Sequence, residues 1–116
     1  MPLPALRGWA SFRAVHSNGR YRRGDFLAVH WLANGMDHNR YGVAAKAKTG
    51  TAVVRNRVRR WTKELLRVWD PQLDQGYDIV ILASRPAAAE SFRGYAEQLA
   101  DVLTMCKLTA ERLSAG

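Results

Sequence analysis

From residue 53 to 69 the chain reads V-V-R-N-R-V-R-R-W-T-K-E-L-L-R-V-W. At about 100° per residue, Val54, Val58, Trp61, Leu65, Val68 and Trp69 share one arc, and Asn56, Arg59, Arg60, Lys63 and Arg67 share the opposite one. Arg55 and Arg57 stand on the two flanks. The pattern predicts an amphipathic helix with one face for the core and one for cations. Thr51 is placed to cap its first turn, and Asp70-Pro71 ends it, because the residue before proline disfavours helical backbone.

Upstream, residues 1–6 carry two prolines and read as an irregular lead. In residues 7–17, Trp9, Phe12, Val15 and His16 recur at spacings of three and four, which predicts a short helix stopped by Asn18-Gly19. Residues 20–23 are a basic approach to a strand at 26–32, with Phe26, Ala28 and His30 on one face and Leu27, Val29 and Trp31 on the other. A turn cluster, Asn34-Gly35 with Asp37 and Asn39, separates it from a strand at 41–45, and the pair reads as an antiparallel hairpin. Residues 46–51 form a loop whose Gly50 turns sharply into the central helix. Downstream, Y-D-I-V-I-L-A at 77–83 is a continuous apolar run of the kind buried on both faces in mid-sheet. Pro86 breaks it. Residues 91–114 read as a last helix capped by Ser91, its inner stripe running from Phe92, Tyr95 and Leu99 to Leu108 or Thr109 and Leu113. The order αβββαβα predicts an α+β two-layer sandwich, a mixed four-stranded sheet with helices packed on it, in one domain spanning 1–116 with a short tail at 115–116.

Charge sharpens this picture. The net charge is +8, and its distribution is uneven. Residues 1–39 carry five bases and two acids, 40–67 nine bases and one acid, and 68–116 four bases and seven acids, so the excess lies in the middle third. Six cations on the central helix face only Glu64 and lack the spaced acid partners that steady a solvated face. An external polyanion relieves their repulsion, which points to nucleic acid. The one cysteine, Cys106, excludes an internal disulfide and a cysteine-based zinc site. The first ten residues lack the charged and apolar regions of a signal peptide, and no apolar run is long enough for a bilayer, so a cytoplasmic protein is expected.

Catalysis by the chain itself has little support. His16, His30 and His38 come from a helix, a strand and a turn, with no spacing that brings two together, and no metal-ligand pattern is present. K-x-K-x-G before the helix is not a Walker pattern. No catalytic or metal-ligating residue is assigned.

The run Thr51-Ala52-Val53-Val54-Arg55-Asn56-Arg57-Val58-Arg59-Arg60, preceded by Arg40-Tyr41-Gly42-Val43 and Lys48-Thr49-Gly50, resembles the signature R-x-G-x-x-x-x-K-K-x-G-x-A-V-x-R-N-R-x-[KR]-R of the bacterial ribonuclease P protein subunit. The likeness extends to a Phe in the first helix, a Gly ending it, and the D-[IV]-[VI]-[IV] run followed by Arg, here from Asp78 to Arg85. The resemblance implies that Arg55, Asn56, Arg57, Arg59 and Arg60, with Lys48 in the preceding loop, dock on a catalytic RNA subunit; Lys63 and Arg67 extend the same face. It implies a cleft between the first helix and the sheet, lined by Phe12 and His16, that holds the single-stranded 5′ leader of precursor tRNA. It implies a left-handed βαβ crossover, where about 98% of crossovers are right-handed. The implied reaction is hydrolysis of one phosphodiester in tRNA 5′ maturation, with Mg2+ bound through the RNA, which carries the chemistry. The implied partners are that RNA and precursor tRNA, without a membrane, the protein being monomeric when free. Three departures stand out: Ala47 replaces a lysine, His16 replaces a second aromatic facing the cleft, and the basic N-terminal lead shrinks to Arg7. A structural RNA-binding protein of ribosomal type, using the same helix without processing, is the alternative.

Overall fold

The computed structural model describes residues 3–114; positions 1–2 of the expected lead and the expected tail at 115–116 lie outside the described residues. The elements are α1 (Trp9–Asn18), β1 (Arg20–Arg23), β2 (Leu27–Ala33), β3 (Arg40–Ala45), α2 (Ala52–Trp69), β4 (Tyr77–Ala83) and α3 (Phe92–Met105). They form an α+β fold on one mixed sheet of order β1-β2-β4-β3, antiparallel except between β3 and β4.

The expected hairpin between β2 and β3 does not form. β4 lies between them, paired antiparallel to β2 from Leu27↔Ala83 to Ala33↔Tyr77 and parallel to β3 from Arg40↔Asp78 to Ala45↔Ala83. The most apolar strand takes the centre, where both of its edges are paired. The turn cluster at 34–39 then satisfies its polar groups across to the approach of β4. Asn39, fully buried, donates from Nδ2 to the Asp74 carbonyl (2.8 Å) and the Tyr41 hydroxyl (3.1 Å), and its Oδ1 accepts from the Tyr77 N–H (2.8 Å). Arg40 and Asp78, opposite each other in the ladder, make a two-pronged ion pair of 2.9 and 2.7 Å that also accepts from Asn34. The arginine and aspartate that open two separate motifs thus fix the β3–β4 register.

Strand alternation gives the sheet two different faces. Leu27, Val29, Tyr41, Ile79 and Ile81 point into a core closed by Val58, Leu65, Leu66 and Trp69 of α2 and Tyr95, Leu99 and Leu103 of α3. Inside it the Thr62 hydroxyl donates to the Val58 carbonyl and meets the Tyr95 hydroxyl, which fastens α2 to α3. Burial pushes the Tyr95 phenol well above its ordinary pKa, against the pull of Thr62, so it stays a neutral partner. The other face carries α1. β4 is therefore not buried on both faces: Val80 and Leu82 are only partly covered and line a cleft beneath α1.

Two more expectations change. The last helix ends at Met105, not at 114. Lys107 takes φ 60, and the N–H groups of Leu108 and Lys107 bond back to the Leu103 and Thr104 carbonyls (3.3 and 3.0 Å), a helix-ending motif usually marked by glycine. Leu108, Thr109 and Leu113 are buried all the same, by a returning segment whose Ser114 carbonyl accepts from the Trp69 indole (2.9 Å). The N-terminal lead, irregular otherwise, is docked: Ala5 bridges Tyr41, Leu6 is buried, and the exposed edge of β3 is thereby closed.

Candidate nucleic-acid interface

Thr51 caps α2 as its sequence position predicts, its hydroxyl accepting from the Val54 N–H (3.3 Å). The buried arc is Val58, Thr62, Leu65, Leu66 and Trp69, rotated by roughly 50° from the expected one. Val68 is consequently outside, 61% exposed. The rotation follows from Thr62, a polar residue that is buried because its hydroxyl is bonded.

Arg57, Arg60, Lys63, Arg67 and Asn56 are exposed, and Lys48 is exposed in the 3₁₀ turn Ala47–Thr49 before the helix. Arg59 is half-buried and donates to Asn56 Oδ1. Arg55, in the first turn of α2, is half-covered, and its Nε is buried without a partner. Among the described residues, none of the six α2 cations has a carboxylate partner; the acids pair elsewhere, as Arg40–Asp78, Arg93–Glu97 and Arg112–Asp101. This is a surface of uncompensated positive charge on a rigid helix.

The second surface is the cleft, about 520 Å³, between α1 and the sheet. Its lining is Trp9, Phe12, Arg13 and His16 from α1 and His30, Ala44, Val80 and Leu82 from the strands. Phe12 lies directly over Gly42: a Cβ built on Gly42 would stand 2.5 and 2.6 Å from its ring carbons. The glycine lets the ring approach β3 this closely. Gly42→Ala is expected to lift Phe12 out of place and cost about 1–3 kcal/mol by overpacking, read from urea unfolding; an unchanged midpoint would mean that the ring has room to move aside. Trp9 is 75% exposed at the rim, with the Arg13 guanidinium 5.0 Å from its ring centre.

Sequence spacing did not bring any two histidines together, but the fold does. α1 crosses the sheet over β2, and the His16 and His30 rings lie 5.3 Å apart, with Tyr21 stacked on His30 at 5.4 Å and 22°. Among the described residues the histidine–carboxylate contact is that of His38 with Asp37 (2.9 Å), and the His16–His30 pair offers aromatic surface. Burial first, then His16 and Lys46, lower the His30 pKa. The unfolded chain therefore binds this proton more readily than the native one, so stability is complete above the ordinary histidine range and falls as pH drops below it. The slope stays under the limit of about 1.4 kcal/mol per pH unit for one proton, because the ring is only partly buried and solvent screens part of the effect. Urea midpoints from pH 7 to 5 are expected to fall less in His30→Phe than in the wild type; parallel curves would exclude His30 as the source.

Lys46, the first lysine of K-x-K-x-G and not among the expected docking residues, follows the cleft strand β3 and acts on His30. A larger hollow, about 660 Å³, lies between α3 and the C-terminal segment, but its charges are already paired as Arg93–Glu97 and Arg112–Asp101, and it suits a polyanion poorly. Among the described residues no three of His, Cys, Asp and Glu converge, and no helix is long and apolar enough to cross a membrane.

An unpaired cationic helix and an aromatic, cation-rimmed cleft on one α+β scaffold define an RNA-binding protein. The family model for ribonuclease P matches residues 4–107. The ribonuclease P protein component of Caldanaerobacter subterraneus subsp. tengcongensis is 34% identical over 110 residues, 95% of each chain. That of Clostridioides difficile is 35% identical over 89 residues, 76% of this chain and 78% of the relative. The solved RNase P protein of Staphylococcus aureus matches with a TM-score of 0.84 at 25% identity, over 90% of this chain and 96% of that one. The Thermotoga maritima RNase P protein matches at 0.77 and 29%, over 87% and 96%. The chain belongs to the ribonuclease P protein family.

Proposed function

We propose that this chain is the protein subunit of ribonuclease P, docking on the catalytic RNA through α2 and holding the 5′ leader of precursor tRNA in the cleft during tRNA 5′ maturation. The observation that carries this reading is the cationic face of α2, whose charges have no carboxylate partner among the described residues. Arg57, Arg60, Lys63 and Arg67 neutralise phosphates of the RNA subunit, while Arg55, Asn56 and Arg59, held closer to the helix, fix its register. Lys46 and Lys48 lie between that contact and the cleft, where two RNAs bring their phosphates together. Phe12 and His16 hold an extended leader by stacking, which leaves the scissile bond presented to the RNA subunit.

The RNA carries the chemistry with its magnesium, and the protein's residues screen repulsion and position the substrate. The work is cytoplasmic, by a protein that is monomeric until it meets its RNA. Cleavage of precursor tRNA by the purified catalytic RNA, with and without this protein, is the test. At low magnesium the protein is expected to accelerate cleavage, because its cations replace part of the screening that metal supplies. Unaltered cleavage would favour a purely structural RNA-binding role.

A further inference from the structure

We propose that the leader cleft continues past β2 over the open edge of the sheet, with Tyr21 as a second stacking platform for single-stranded RNA and Arg23 as the phosphate contact beside it. This rests on the leader-binding reading above and extends it.

One ladder row crosses the whole cleft face. Gly42 pairs with Val80, Val80 with His30, and His30 with Tyr21. Phe12 covers the Gly42 end, His16 lies over His30, and Tyr21 stacks on His30 at the far end. Three inter-strand spacings of about 4.8 Å put the two ends roughly 14 Å apart, a span for a few extended nucleotides. At the Phe12 end the sheet edge is closed by residues 4–6 against Tyr41. At the other end it is open. Every residue of β1 is exposed, and Tyr21, 58% exposed, keeps most of its ring in solvent.

The charge on this edge suits the same ligand. Residues 20–23 are R-Y-R-R, with Asp25 in the following turn the one nearby acid in sequence. Cross-strand pairing puts Arg23 on the Tyr21 face, in the row of Ala28 and Leu82, while Arg20 and Arg22 take the opposite face. There Arg22 pulls down on the Cys106 thiol, which burial nonetheless pushes up to about 12. An exposed aromatic next to a guanidinium, continuous with an aromatic cleft, is what a stacked single strand needs.

The test uses the holoenzyme reconstituted with its RNA and precursor tRNAs whose leaders are lengthened one nucleotide at a time. Wild-type affinity is expected to rise with leader length in two stages. Tyr21→Ala should abolish the second stage, weakening long-leader substrates about fivefold or more, while Tyr21→Phe retains it. Arg23→Gln should flatten the salt dependence for long leaders only. Equal effects of Tyr21→Ala on mature tRNA and on every leader, or none at any length, would overturn the extension. Phe12→Ala, run in parallel, separates the two ideas. A leader-dependent loss in Phe12→Ala without one in Tyr21→Ala sinks the extension alone, and no leader dependence in either sinks the cleft reading as well.

Discussion

Replacing Arg57, Arg60 and Lys63 together by alanine is expected to weaken binding to the catalytic RNA about a hundredfold near physiological salt. All three are exposed, and none lies on the buried arc of Val58, Thr62, Leu65, Leu66 and Trp69. Each phosphate contact contributes about 0.7 to 0.9 to the slope of log K against log salt, which at roughly 0.15 M amounts to about fivefold apiece. Losing three should make the slope shallower by about 2 to 3. Stability should change by less than about 0.5 kcal/mol, since alanine is the better helix former and repulsion along the face is relieved. Arg55 is left out because its Nε is buried without a partner, so its truncation mixes charge with packing. Filter binding at several salt concentrations, beside urea unfolding, reads both quantities. An unchanged slope would remove α2 as the docking face, and loss of folding would mean that these side chains hold the core.

The same helix shows what local pattern can and cannot carry. Its cap at Thr51, its stop near Asp70 and its cationic side follow from residue type and spacing within the segment. Its exact rotation does not, because Thr62 is buried through a hydroxyl contact with Tyr95, 33 positions away in sequence. The hairpin expectation fails for a related reason. Asn34 and Asn39 mark a turn, but where their hydrogen bonds end depends on β4 competing for the edge of β2, a choice made between segments far apart in sequence. Lys107 closes α3 in a conformation that glycine normally announces, so residue type gave no signal. The candidate RNA-docking residues were legible through the charged face and the R-N-R resemblance. The His16–His30 contact, Lys46 at the cleft and the Arg40–Asp78 clasp exist only once α1 and β4 have taken their places on the sheet.

The cleft makes its sharpest statement through Phe12. Phe12→Ala is expected to lower affinity for precursor tRNA about 5- to 100-fold, the range for losing one base–aromatic stack, and to leave mature tRNA binding unchanged. The ring is half-buried, one side against Gly42 and the rest lining the cleft, so truncation also removes some packing. Phe12→Leu separates the two effects. Leucine retains most of the apolar volume over β3 but offers no flat face, so stability should return while leader affinity does not. His16→Phe should act in the opposite direction, adding aromatic surface beside His30 and strengthening the leader-dependent part of binding. Equal losses for precursor and mature tRNA in Phe12→Ala, with full recovery in Phe12→Leu, would reduce Phe12 to packing and move the leader off this face of the sheet.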